Sequence, residues 1–189
     1  METTVHNKPY PGMLNTGIEF FKHDNNVNLL HNGQTVPFSS TPYAVMKIVE
    51  EALEADTQAK QVLEQMVKGS RYNVTEKFVW CRFGGLDFTS DLEDGMLQDG
   101  EFHACDQRGK CPGEGIVCKM PIYKGTRLTK QMVHLMALLC TTMTNETIAY
   151  TMGLPFGSYH QLKKKLYSTL GGVQTKQEVA LIARSLNVV

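Results

Sequence analysis

No apolar run in this chain of 189 residues approaches the roughly 20 needed for a helix to cross a bilayer, so a membrane-spanning anchor is not expected. Internal repeats and low-complexity stretches are also missing, which leaves no sign of a solenoid or a long flexible linker. The first residues lack the basic and apolar pattern of a secretory leader; the expected compartment is a reducing cytoplasm, where disulfides rank last among the uses of cysteine. Two glycine clusters, Gly84-Gly85 and Gly113-Glu114-Gly115, lack the lysine and the strand-to-helix context of a phosphate loop and read as turns. The N-terminal part is too short, and alternates strand and helix too little, for a phosphoacceptor receiver. Net charge is zero, with 19 basic against 19 acidic residues, so the chain as a whole is not a polycation.

That neutrality conceals an asymmetry. From Arg127 onward there are seven Lys or Arg against two Asp or Glu, a balance of +5, and the preceding residues carry the compensating −5. A basic third beside an acidic two-thirds suits a nucleic-acid reader attached to a separate module. The same third is punctuated into four segments with helical apolar spacing. Thr129 is placed to cap the first, along which Met132, Val133, Met136, Leu139 and Cys140 form one stripe. Thr144 begins the second, a short helix through Ile148, Ala149 and Met152 that stops at Gly153. After a turn from Gly153 to Gly157, a longer helix runs from about Ser158 to Leu170, and a fourth carries Val179, Ile182, Ala183 and Leu186. A short helix, a tight turn and a longer helix is how one helix braces another against a duplex.

These residues resemble the helix-turn-helix domain of the LuxR/GerE family. Leu128 and Thr129 match its opening, Thr144, Asn145, Ile148 and Ala149 its second helix, and Gly153 and Leu154 its turn. Leu170 and Gly171 match the end of its recognition helix, and Glu178, Val179 and Ala180 the start of its fourth helix. Departures are Lys130 and Gln131 for the usual Arg-Glu, Pro155 for the capping Ser, and Leu162 for the usual His. The resemblance implies a transcriptional regulator that binds double-stranded DNA, not an enzyme. It places His160, Gln161 and Lys164 toward base edges, counts Ser158 with them at the start of the 158–170 recognition helix, and buries Tyr159, Leu162 and Leu166. Helical spacing agrees with that division. Lys can reach guanine or phosphate and Gln can pair with adenine, while the flanking Lys163 and Lys165 suit phosphate. Family members commonly pair through the fourth helix, which implies a homodimer through residues 175–187; RNA polymerase or another regulator is a further expected partner.

Four of the five cysteines, Cys81, Cys105, Cys111 and Cys118, fall within a Gly- and Asp-rich stretch (80–119) with little apolar sequence. Such a stretch has difficulty burying a core of its own, and four thiolates on one ion would hold it together. The intervening spacings of 23, 5 and 6 residues differ from paired Cys-x2-Cys ligands, with His103 near by as a substitute ligand. Structural zinc on the four cysteines is the expectation; an iron-sulfur redox sensor is the alternative, echoed by Pro112 after Cys111. Cys81-Arg82, Gly84-Gly85, Cys105, Arg108-Gly109, Cys111-Pro112, Glu114-Gly115 and Cys118 resemble a segment that precedes LuxR-type domains in some short Bacteroidetes regulators. Cys140 reads as a small buried hydrophobe. Cys105 with His103 as nucleophile and base is set aside, since that spacing on a loop carries no orientation.

Residues 1–16 hold Pro9, Pro11 and Gly12 and little apolar surface, and are expected to be loose. Short strands are expected over Ile18–Lys22, Val27–His31 and Gln34–Phe38, with turns at Asp24-Asn25-Asn26 and Asn32-Gly33. A helix near Pro42 would place Tyr43, Met46, Val49 and Leu53 on one face, restart at Asp56 or Thr57, and continue through Val62, Leu63, Met66 and Val67 to Gly69. The expected fold is α+β and mainly α: an α+β region over 17–126, then a four-helix DNA-binding domain over 127–189. A third functional alternative is a protein-interaction module in which a degenerate helix-turn-helix no longer reads DNA.

Overall fold

A computed structural model describes residues 9–103 and 105–189; the first half of the expected loose tail, residues 1–8, lies outside them. The fold is α+β and mainly helical. The chain divides into two compact units, one of Met1–Glu101 with Gln107–Lys119, the other of Phe102–Asp106 with Met120–Val189. The second unit therefore begins before residue 127 and also takes in a short stretch of the cysteine-rich segment.

In the first unit, β1 (Glu19–His23), β2 (Asn26–His31) and β3 (Gln34–Pro37) form an antiparallel sheet in that order, with Phe20 opposite Leu29 and Leu29 opposite Val36. The turns form where the sequence places them because Asp24, Asn25, Asn32 and Gly33 all adopt positive φ, the conformation that matches the twist of paired strands. Residues 9–16 are not a free tail: Pro11 and Gly12 are buried, and Gly33 N–H donates to the Gly12 carbonyl at 2.6 Å. Gly12 has φ 76°, and a Cβ there would collide with the Leu30 carbonyl, so glycine is required.

Three helices follow, α1 (Tyr43–Ala55), α2 (Thr57–Met66) and α3 (Arg71–Arg82). The stripe α1 buries is Val45, Val49 and Leu53, whereas Tyr43, expected on one face with Val49 and Leu53, is 83% exposed at the helix's first position. Phe20, Leu29 and Phe38 pack with Val49, Leu53, Leu63, Phe78 and Phe83 into one core. A two-residue hairpin follows, β4 (Leu92–Glu93) with β5 (Met96–Leu97), turning at Asp94-Gly95.

Arg82, at the end of α3, ties the 107–119 loop to these helices. Its Nε donates to the Val117 carbonyl at 2.7 Å and its Nη2 to Asp56 Oδ2 at 2.8 Å, which Lys119 Nζ also meets at 3.1 Å. Asp56 in turn caps α2 by accepting from Ala59 N–H at 3.1 Å. Partial burial would raise the Asp56 pKa, but the bonds from Arg82, Ala59 and Lys119 outweigh it and bring it down to about 2. With Val117 buried in the core, this loop is anchored by the protein's own contacts. Arg82→Ala should cost about 3 kcal/mol, because it leaves a carbonyl and a partly buried carboxylate short of a donor. Urea unfolding would measure it, and a cost under about 0.5 kcal/mol would show that the clamp does not hold the loop.

The second unit opens its helical part with the hairpin β6 (Ile122–Tyr123) and β7 (Thr126–Arg127), turning at Lys124-Gly125. Then come α4 (Lys130–Leu139), α5 (Asn145–Thr151), α6 (Phe156–Thr169) and α7 (Lys176–Ser185). Thr129 accepts from Met132 N–H, and Thr175 with Glu178 forms a reciprocal cap on α7. Leu135, Met136 and Leu139 from α4 meet Ile148, Tyr159, Leu166, Val179 and Ala183 in a single core. Cys140 is half-buried at the end of α4, its thiol donating to the Met136 carbonyl at 3.1 Å.

Candidate nucleic-acid interface and cysteine loop

The short helix α5 starts at Thr144, whose hydroxyl accepts from Thr147 N–H at 3.3 Å, and ends at Gly153 with φ 64°. Gly153 N–H donates to Tyr150 O and Leu154 N–H to Ala149 O, which satisfies the last carbonyls and turns the chain. Pro155 then sets an extended entry, and α6 begins at Phe156, two residues before the expected Ser158. The cause is Pro155 itself: its carbonyl accepts from Tyr159 N–H at 3.0 Å, so Gly157 and Ser158 already belong to the first turn.

One side of α6 is held firmly. Tyr159 and Leu166 are fully buried, Leu162 is half-buried, and the Tyr159 hydroxyl donates to Asn145 Oδ1 on α5 at 2.6 Å. Ser158, His160, Gln161, Lys164 and Lys165 are all exposed, so α6 carries five of the six residues expected to meet DNA on its free side. Lys163 differs from its neighbours. It is half-buried, with Nζ 3.4 Å from Asn145 Oδ1 and 5.3 Å from the Tyr167 ring centre. Burial, then the nearby Lys176 charge, lowers its pKa. His160, Lys163, Lys164, Tyr167 and Gln174 line a shallow groove of about 490 Å³. Two contributions are not legible in the sequence: Asn145 as the brace, and Phe156, which stands exposed ahead of His160.

The cysteines are only partly brought together. Cys111 and Cys118 converge on Gly113, whose N–H donates to Cys111 Sγ at 3.3 Å while its carbonyl accepts from Cys118 Sγ at 3.9 Å. Arg108 Nη1 lies 3.9 Å from Cys118 Sγ. Hydrogen bonds onto sulfur from backbone and side chains are what metal-bound cysteines use as outer support. Cys81 sits in the last turn of α3, and Cys105 belongs to the Phe102–Asp106 stretch of the second unit, as does the buried His103. Among the described residues, no three His, Cys, Asp or Glu side chains are grouped as metal ligands. Within the first unit, the part of the expected ligand set that converges on one backbone group is the Cys111/Cys118 pair.

A second cluster had no sequence signature. Glu19 on β1 is fully buried; its Oε1 accepts from Asp87 N–H at 2.9 Å, and its Oε2 has no hydrogen-bond partner among the described residues. Asp91, also buried, accepts from Phe20 N–H at 2.7 Å, and Glu101 accepts from Gly85 N–H. Burial is the main cause in all three: with repulsion from neighbouring acids it pushes Glu19 up to about 9 and Asp91 well above the usual carboxylate range, and with a hydrogen bond to Asp87 and that residue's charge it pushes Glu101 up to about 8. The Lys22 charge partly offsets this at Glu101. Backbone bonds between Ile18 and Leu92 and from Lys22 to Gly84 run through the same place, so these acids sit in the seam joining β1 to the 84–101 segment.

The chain matches no protein-family model, no curated protein and no solved structure.

Proposed function

We propose that this protein is a DNA-binding transcriptional regulator of LuxR type that docks α6 in the major groove. The observation that carries the proposal is the one-sidedness of α6: Tyr159 and Leu166 lock it to the helical core while His160, Gln161, Lys164 and Lys165 stand exposed together. The charge balance of +5 from Arg127 onward supports a polyanionic partner. Leu181, 70% exposed on α7, supports pairing of two copies through residues 175–187, which would present two reading helices to a pseudo-palindromic site. Gln161→Ala and Lys164→Ala should each weaken binding to a duplex selected from a random library by about 10-fold while leaving the circular dichroism spectrum unchanged. Unchanged affinity in both would end the assignment of this face and favour a protein partner for the same surface.

Zinc on the cysteine loop is the second part of the proposal, supported by the convergence of Cys111 and Cys118 on Gly113 and its N–H bond to sulfur. When bound, zinc would supply structural cross-linking and no reaction. Protein purified without chelator should carry zinc that Cys111→Ser loses, as read by elemental analysis. Wild-type protein free of zinc would remove the metal, and iron in its place would support the redox-sensing alternative.

A further inference from the structure

Phe156 is the first residue of α6 and is 46% exposed, although its neighbours in the same unit have an apolar core available to them. Its ring is nevertheless fixed. It lies nearly parallel to Tyr159, with centroids 6.0 Å apart and planes at 11°, and Tyr159 is itself fastened to Asn145. His160, one turn on, meets the Phe156 ring edge-on at 4.4 Å. Successive helical turns therefore align Phe156, His160 and Lys164 along one edge of the exposed face. The start of α6 is also unobstructed, since even a Cβ added at Gly157 would meet nothing within 4 Å. An exposed phenyl ring held beside a cationic reading face is suited to an apolar feature on an anionic partner. In the major groove of DNA that feature is the thymine methyl group, the one apolar mark on a base edge.

Resting on the DNA-reading role proposed above, we propose that Phe156 is a specificity-determining residue that recognises a thymine methyl beside the bases met by His160 and Gln161. Its contribution is to sequence choice more than to general affinity, because it adds no charge toward phosphate.

The full chain would be used to select duplexes from a random library, and each thymine of the selected site would then be replaced in turn by uracil, which lacks only the methyl. Wild-type protein should lose about 4-fold in affinity at one or two thymines, the worth of one buried methyl group. Phe156→Ala should bind the thymine and uracil duplexes equally at those positions, and Phe156→Leu, which keeps an apolar end, should retain part of the difference. The same uracil penalty in wild type and Phe156→Ala at every position would overturn the inference and leave DNA reading intact. Failure of the wild type to enrich any sequence would overturn both together.

Discussion

Raising the pH from 5 to 9 should cost the protein stability on the order of 5 kcal/mol, read as a fall in the urea midpoint. Glu19 and Glu101 keep their protons in the folded state up to about 9 and about 8, and Asp91 keeps its proton well above the usual range. In the unfolded chain the same groups release their protons near pH 4 to 4.5, about where model carboxylates titrate. Between those limits the native state binds more protons than the unfolded one, so this stability is complete at acid pH, declines as pH rises above about 4.5, and is gone once the folded values are passed. Each retained proton contributes a slope of up to about 1.4 kcal/mol per pH unit, and opening of the 84–101 seam ahead of global unfolding would cap the total. Asp56 acts in the opposite sense. Its pKa of about 2 gives stability that is present above the ordinary aspartate value and lost as pH falls toward 2, so the optimum should lie near pH 4 to 4.5, about where both contributions are held. Glu19→Gln keeps the acceptor for Asp87 N–H and removes one titrating group, and should flatten the alkaline limb. A midpoint that does not move between pH 5 and 9 would show that the cluster ionises freely.

Replacing Lys163, Lys164 and Lys165 together by Ala should weaken binding to a mixed-sequence duplex by about 100- to 1,000-fold at 0.1 M salt. Each lysine that neutralises a phosphate releases counterions worth nearly one decade of affinity at that ionic strength, and the slope of log affinity against log salt should flatten by about 0.9 for each phosphate no longer neutralised. The three are not equivalent. Lys164 and Lys165 are exposed, whereas Lys163 is shared with Asn145 and Tyr167, so the Lys164→Ala/Lys165→Ala pair should account for most of the effect. Anisotropy across a salt series measures both numbers. Equal slopes in wild type and triple variant would place the phosphate-binding residues elsewhere.

Much of the fold is legible where local chemistry dictates it. The β1–β2 and β2–β3 turns follow from Asp, Asn and Gly at positions needing positive φ, and the starts of α2, α4, α5 and α7 from capping residues that bond as their chemistry requires. Helix α3 is not legible in this way, although Val74, Phe78 and Val79 are buried at helical spacing. Its apolar contrast is blurred because Thr75 and Arg82 share the buried face, the latter made tolerable there only by Asp56 and the Val117 carbonyl. Dependence on distant partners also hides the acid cluster: Glu19, Asp87, Asp91 and Glu101 span 83 positions, and nothing local marks them as neighbours. On α6 the exposed set is readable from periodicity, while the brace from Asn145 to Tyr159 depends on a contact between two helices.

That brace bears on how fast the surface can be used. Asn145 Oδ1 accepts from both the Tyr159 hydroxyl and Lys163 Nζ, so α6 is fixed to α5 before anything docks on it. A surface already rigid surrenders little conformational freedom on association, and no slow rearrangement stands between encounter and complex. Association of α6 with its partner should then be set by diffusion and charge steering, and differences in affinity among binding sites should emerge almost wholly in residence time.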